Sequence, residues 1–237
     1  MSKKNNIKDI PDEERPYEKC EKYGASNLTD KELLAVLLRT GTKGYSALEL
    51  AEKILYPVFS KNGILNIHQW SMEQLCKIKG IGKVKAIQIL CISELSKRLA
   101  KASAKKGLDF TTPESIAKYY MEDMRHSRQE EMKLLLLNTK ARLIGETNIS
   151  KGTVNSAVVS PRELFLEALQ KNAVFIILLH NHPSGDPTPS KEDIIVSKRV
   201  KEAGELIGIE LLDHIIIGNN CYISMKEQNL LWSKGVR

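Results

Sequence analysis

The stretch His180-Asn181-His182-Pro183-Ser184-Gly185-Asp186-Pro187-Thr188-Pro189-Ser190-Lys191-Glu192-Asp193 decides how the C-terminal half of this 237-residue chain is read. It follows an apolar run, Ala173 to Leu179, with the length and composition of a buried strand. Histidines two apart at the end of a strand leave the same face, with Cα atoms roughly 6.5 Å apart, while Asn181 between them points the other way. Two imidazoles so placed can converge on one ion about 2.0 Å from each. Pro183, Gly185, Pro187 and Pro189 stiffen the loop that follows, and the pattern from Ser190 to Ile207 predicts a helix stopped by Gly208. Asp193 falls in the first turn of that helix, where its carboxylate can face back to the strand end. Two histidines and one carboxylate make a three-ligand zinc site of the catalytic type, with a fourth position for water. Ser190-x-x-Asp193 is equally an N-cap with an acidic residue in the first turn, where the helix dipole favours it. The two readings are compatible, because a capped helix holds a ligand still.

Outward from this stretch, Met132 to Asn138 is a continuous apolar run and predicts a strand buried on both faces. Arg142 to Ile149 alternates as its partner, across a turn at Asn138 to Ala141. Ser160-Pro161-Arg162-Glu163 reads as a capping box opening a helix whose apolar face is Leu164, Phe165, Ala168 and Leu169. Ile209 to Leu212, Ile215 to Ile217 and Tyr222 to Met225 read as three short strands, with a turn at Asn219-Asn220. Strands alternating with helices predict an α/β region with a mixed sheet. Glu130 and Glu131, ahead of the Met132 strand, read as a charged strand entrance. His214, after Asp213, is a third candidate ligand, although a structural hydrogen bond suits it better. His68 and His126 have no informative spacing.

The first hundred residues carry helical periodicity without strand patterns. Thr29 or Asp30 caps a helix through Leu38 that stops at Gly41. A second helix spans Ser46 to Leu55, and a third runs from Ser71 to Ile78 with Gln74 completing a capping box. A fourth runs from Lys83 to Ala100 after Gly80-Ile81-Gly82. Lys101 to Thr112 loses helical periodicity and is the expected boundary, so the domains read as 1–106 and 113–237. Thr112 and Pro113 then cap a new helix. The chain is 42% apolar and 27% charged, a globular composition. No apolar run approaches the roughly 18 residues of a membrane span. The polar N-terminus is unlike a secretory signal, and Cys20, Cys76, Cys91 and Cys221 are too scattered for a disulfide framework, which predicts a reduced, cytoplasmic protein. The net charge of +7 is uneven: residues 1–107 hold 20 Lys/Arg against 12 Asp/Glu, and residues 108–237 hold 16 against 17. Residues 77–106 alone carry nine Lys/Arg and a single acid, Glu94. That is either a phosphate-backbone footprint or a solvated helix with a basic linker.

The fixed positions His180, His182, Ser190 and Asp193 match the H-x-H-x7-S-x2-D half of the JAMM signature. The whole chain resembles the bacterial RadC family, also called UPF0758, through DIPDEERP, LLAVLLRTGTKG, KIKGIGKVKA, LLLLNTKARLIGE, GTVNSAVVSPRELFLEAL, HNHPSGDPTPSKED and LLDHIIIG. The resemblance implies an α+β two-domain protein: a small all-α N-terminal domain with a helix-hairpin-helix at about 71–100, then an α/β JAMM (MPN) domain with a mixed sheet flanked by helices. It implies one Zn2+ held by His180, His182 and Asp193, and a metalloprotease-like hydrolase acting on a protein or peptide. JAMM sites also use an upstream glutamate as general acid/base beside the metal-activated water, for which Glu130 and Glu131 are the candidates, and the resemblance implies Ser190 as donor to the oxyanion of the tetrahedral intermediate. The family pattern, with Glu eight residues before the Asn of LLLLN, selects Glu130 over Glu131. The segment Leu75 to Ala86 resembles a helix-hairpin-helix, whose Gly-Ile-Gly turn and following helix N-terminus bind a DNA phosphate without reading sequence. Lys79, Gly80, Gly82, Lys83 and Lys85 are its candidate DNA contacts, while the same hairpin also serves as a plain packing element.

Overall fold

The computed structural model describes residues 11–57, 60, 62–105, 108–152 and 159–231. The polar first ten residues and the GTVNSA part of the family motif lie largely outside them. The chain groups into two compact units, Met1–Ser96 and Lys97–Arg237.

The first unit is built from α1 (Pro16–Tyr23), α2 (Asp30–Leu38), α3 (Ala47–Leu55), a 3-10 stretch at Gly63–Gln69, α4 (Met72–Lys77) and the start of α5 (Lys83–Lys105). Thr29, Ser46 and Ser71 each cap a helix in a full capping box with Glu32, Glu49 and Gln74. Each box satisfies N–H groups that the first helical turn leaves open. Leu34, Leu38, Leu50, Ile54, Leu75, Ile81 and Ile89 form one apolar core. Helix α2 ends at Leu38, ahead of the expected stop at Gly41, because Arg39 takes a φ of 59° and closes it. Helix α5 runs past Ala100 to Lys105. The apolar periodicity does fade there, but Lys-Ala-Ser-Ala-Lys has enough intrinsic helix propensity to continue without a buried face.

The turn between α4 and α5 is a packing element in one of its glycines. Gly80 has a φ of +102°, and a Cβ there would stand 2.5 Å from Thr42 Cγ2 and 3.0 Å from Leu50 Cδ2. Gly80→Ala is therefore expected to destabilise this unit by about 1–3 kcal/mol, read as a lowered denaturant midpoint. Gly82 has open space around it, and Lys79 and Lys83 are exposed. Lys85 turns inward: its ammonium donates to the Thr40 and Gly41 carbonyls beyond the end of α2, and burial lowers its pKa. Among the candidate DNA contacts it is the one already committed elsewhere.

The second unit contains α6 (Pro113–Met124), β1 (Glu130–Leu137), β2 (Leu143–Gly152), α7 (Pro161–Gln170), β3 (Phe175–Asn181), α8 (Lys191–Ile207), β4 (Glu210–Ile217) and β5 (Tyr222–Ser224). The sheet order is β2-β1-β3-β4-β5. Only β3 and β4 run parallel; the other neighbours are antiparallel. A parallel pair needs a crossover, and α8 supplies it. Strand alternation splits the side chains between two cores. Met132, Leu134, Leu136, Ile176 and Leu178 pack with Leu164, Phe165 and Ala168 of α7 and Val196 and Val200 of α8. Leu135, Leu137, Ile177, Leu179, Ile215 and Ile217 pack with Ile116, Ala117, Tyr120 and Met124 of α6.

Two expectations about this unit are corrected. Ser160 makes no side-chain cap bond; its carbonyl instead accepts the Glu163 and Leu164 N–H groups, so the expected capping box is absent. The two short strands expected at Ile209 to Ile217 are one strand. Asp213 and His214 interrupt its apolar pattern but not its pairing, because both are buried and hydrogen-bonded. Within β4 the pairing to β3 steps from Ile176–Leu211 to Ile177–Asp213, a bulge at Leu212. The extra residue reverses the alternation. Leu211 packs in the α7/α8 core, while Ile215 and Ile217 pack in the α6 core.

Candidate metal centre

His180 continues the row Ile176, Leu178 at the C-terminal end of β3, on the face that α8 covers. His182 lies one residue past the strand, and its N–H still donates to the Ile217 carbonyl at 2.9 Å. Asn181, on the other face, accepts the Glu131 N–H at 2.8 Å and donates to the Gln129 carbonyl. Asp193 sits at the third position of α8, capped by Ser190. The ligand atoms of His180, His182 and Asp193 all lie within 4.8 Å of one another. His180 Nε2 is 2.9 Å from His182 Nε2 and 3.3 Å from Asp193 Oδ1, and His182 Nε2 is 3.5 Å from Asp193 Oδ2.

The donor set suits a cation. His182 Nδ1 donates to the Asp186 carbonyl at 2.8 Å, an atom that can only accept, so in the neutral ring the lone pair lies on Nε2 and faces the other two groups. Nitrogen lone pairs and a carboxylate aimed at one another repel unless a proton or a metal ion lies between them. The electrostatics agree. Burial pushes the Asp193 carboxyl up, but the bonds from His182 and Ser190 and the charge of His180 outweigh it and hold the group well below the usual carboxylate range. The bond to Asp193 raises the His182 pKa against the opposing effect of burial. Burial, then the neighbouring His214, lowers that of His180.

Glu130 and His182 line one cavity of about 490 Å³, with Pro183, Ser184, Ser190, Glu192 and Asp193. The register explains this. Met132 pairs with His180, so two residues further along both strands Glu130 comes level with His182 on the same face. Glu131 faces the other way, and its Oε1 accepts the Ser127 hydroxyl at 2.9 Å. Ser190 accepts the Asp193 N–H on its hydroxyl oxygen, while its own hydroxyl and N–H donate to Asp193 Oδ2 at 2.6 and 2.7 Å. Here Ser190 caps the helix and orients Asp193; to serve a substrate oxygen its hydroxyl must turn out of that bond. His214 does not join the three convergent groups. It touches the opposite nitrogen of His180, with His214 Nε2 2.7 Å from His180 Nδ1. Asp186, which holds His182, and Glu192, on the cavity wall, were not singled out by the sequence motif, since only the folded chain creates that bond and that wall.

A mixed sheet covered by helices thus carries two histidines at a strand end and an aspartate in the first turn of the next helix. The family model described as RadC-like JAB domain matches residues 110–230, and the model for the UPF0758 N-terminal region matches residues 7–87. The chain belongs to the RadC family of UPF0758 proteins. It is 49% identical to a UPF0758 protein of Clostridium botulinum strain Hall and 48% identical to one of Clostridium tetani, in each case over 98% of this chain and 100% of the relative. Among the described residues no helix is long and apolar enough to cross a membrane, and all four cysteines are unpaired.

Proposed function

We propose that this protein is a zinc-dependent hydrolase of amide or isopeptide bonds in a protein or peptide substrate. The observation that carries the reading is the convergence of His180 Nε2, His182 Nε2 and the Asp193 carboxylate beside a cavity lined by Glu130. Zinc held by those three residues would supply acidity for a water and polarisation of a carbonyl. Glu130 takes the water's proton as oxygen adds to the carbonyl carbon. It then passes that proton to the departing nitrogen as the C–N bond breaks. Ser190 keeps Asp193 in place and, with its hydroxyl turned outward, donates to the developing oxyanion. The unpaired cysteines suit a reducing compartment, and the cytoplasm is the place of action in this reading.

The reading is tested in the native host by comparing the proteome of wild type with that of a Glu130→Ala strain. Proteins that persist uncleaved in the variant, and are cleaved by purified wild type but not after zinc chelation, are the expected result. Cleavage that survives chelation would end the zinc reading.

A second reading is favoured by a separate observation. Exposed Lys79 and Lys83 flank an open Gly82 at the start of a 23-residue helix. In that reading the helical unit binds DNA backbone and the metal domain is structural or an interaction surface. Binding to duplex DNA is expected to weaken steeply with salt, and Lys79→Ala with Lys83→Ala to flatten the slope. Absence of binding at low salt would dispose of this reading.

A further inference from the structure

Behind His180 lies a second histidine that the hydrolase mechanism above does not use. His214 is fully buried in the middle of β4, opposite Leu178 in the β3 pairing. The bulge at Leu212 sends its ring toward α8 rather than toward α6. Its two ring nitrogens have different partners: Nε2 is 2.7 Å from His180 Nδ1, and Nδ1 is 2.5 Å from Ser197 Oγ.

The direction of these bonds follows from the end of the row. Ser197 Oγ is 2.6 Å from the backbone carbonyl of Asp193, one helical turn back. A carbonyl can only accept, so the single hydroxyl proton of Ser197 is spent there. The Met225 thioether, 3.4 Å away, is a weaker acceptor and would take the same proton, leaving the conclusion unchanged. Ser197 Oγ therefore offers His214 only a lone pair, and His214 Nδ1 must carry a proton to fill it. Among the described residues no carboxylate is bonded to either nitrogen of this buried ring. A second proton would leave a buried charge without a partner, which is costly. His214 Nε2 is then a lone pair, and the proton between the two histidines belongs to His180 Nδ1.

We infer that His214, held by Ser197, is a positioning residue that fixes His180 in the tautomer with Nδ1 protonated and Nε2 bare, aimed at His182 and Asp193. The relay runs from His180 to His214 to Ser197 to the carbonyl of Asp193. It therefore ties the strand that carries one ligand to the helix that carries another. A ligating histidine is commonly oriented by a carboxylate, a carbonyl or water on its second nitrogen; here another imidazole, aimed by a bulge, takes that place. The inference rests on the metal-centre reading for its purpose but not for its geometry.

The test has two arms. Nitrogen-15 histidine spectra of the metal-free wild type report which nitrogen of each ring is protonated. His180 and His214 are expected to carry their protons on Nδ1, and a His180 protonated on Nε2 instead would overturn the inference. In the second arm, chelator competition measures zinc affinity for wild type, His214→Phe and His214→Gln, with circular dichroism as the check on folding. His214→Phe keeps a ring but offers no acceptor, and a loss of roughly 10–100-fold is expected. His214→Gln can accept from His180 and donate to Ser197, and should recover most of that loss. Wild-type affinity in a folded His214→Phe would also overturn the inference. If His214→Phe does not fold, Ser197→Ala takes its place, with a mixed His180 tautomer expected and an unchanged one counting against the proposal. A wild type that binds no zinc yet shows His180 protonated on Nδ1 would remove the hydrolase reading and leave this assignment standing.

Discussion

His182→Ala is expected to abolish stoichiometric zinc binding while leaving the protein folded. His182 lies past the end of β3, beyond the apolar row, and among the described residues its side chain bonds only to the loop carbonyl of Asp186 and to His180 and Asp193. Its removal takes one of three donors from the ion and opens no cavity in the core. The loss of affinity should exceed the roughly 10–100-fold typical of losing a group behind a ligand. Zinc bound to the native state stabilises it by mass action, by about 2.7 kcal/mol at free zinc a hundred times Kd. A chelator should therefore lower the melting temperature of wild type and leave that of His182→Ala unmoved. The pH dependence has a definite sign. Zinc needs the unprotonated Nε2 of His182, and the bond to Asp193 raises the pKa of that ring. Protons therefore compete at higher pH than for an ordinary histidine, and affinity falls as pH drops through the histidine range. Wild-type protein with no near-stoichiometric zinc, or His182→Ala with undiminished zinc, would sink the metal-centre reading.

Glu130→Gln is expected to lower turnover by roughly 10²–10⁴-fold with zinc content unchanged. The amide fills the same volume at the cavity wall but cannot take a proton from water. Glu131→Gln provides the contrast. Its carboxylate faces the other side of β1, where Ser127 donates to it, and turnover should stay close to wild type. Measured on a substrate identified in the host, the reverse order of effects would transfer the role to Glu131. Full activity in both variants would remove this pair from the mechanism.

The unequal legibility of these residues has a physical basis. The H-x-H at a strand end, the proline-stiffened loop and the capped Ser-x-x-Asp are local features. Strand alternation and helix capping act within a few residues, so spacing alone could anticipate which side chains share a face. Of the two capping boxes read from the sequence, the one at Ser71 formed with both bonds; the one at Ser160 did not, because its carbonyl took over the role. The end of α5 was obscured for a related reason, since helix propensity without a buried face leaves no apolar period to follow.

What the sequence by itself determined is the pair of unit types and the shared placing of His180, His182 and Asp193, because each depends on periodicity or on contacts a few residues apart. Sequence spacing left Glu130 and Glu131 level, and only family pattern separated them. Tertiary structure separates them physically: the Met132–His180 register sets Glu130 beside His182 and turns Glu131 away. It likewise decides His214. Two polar residues in an apolar run read as a break between strands, and nothing local announces that one extra residue at Leu212 bulges out of the pairing. That bulge reverses the alternation and brings the imidazole behind His180, a contact between residues 34 positions apart that depends on the pairing of β3 with β4.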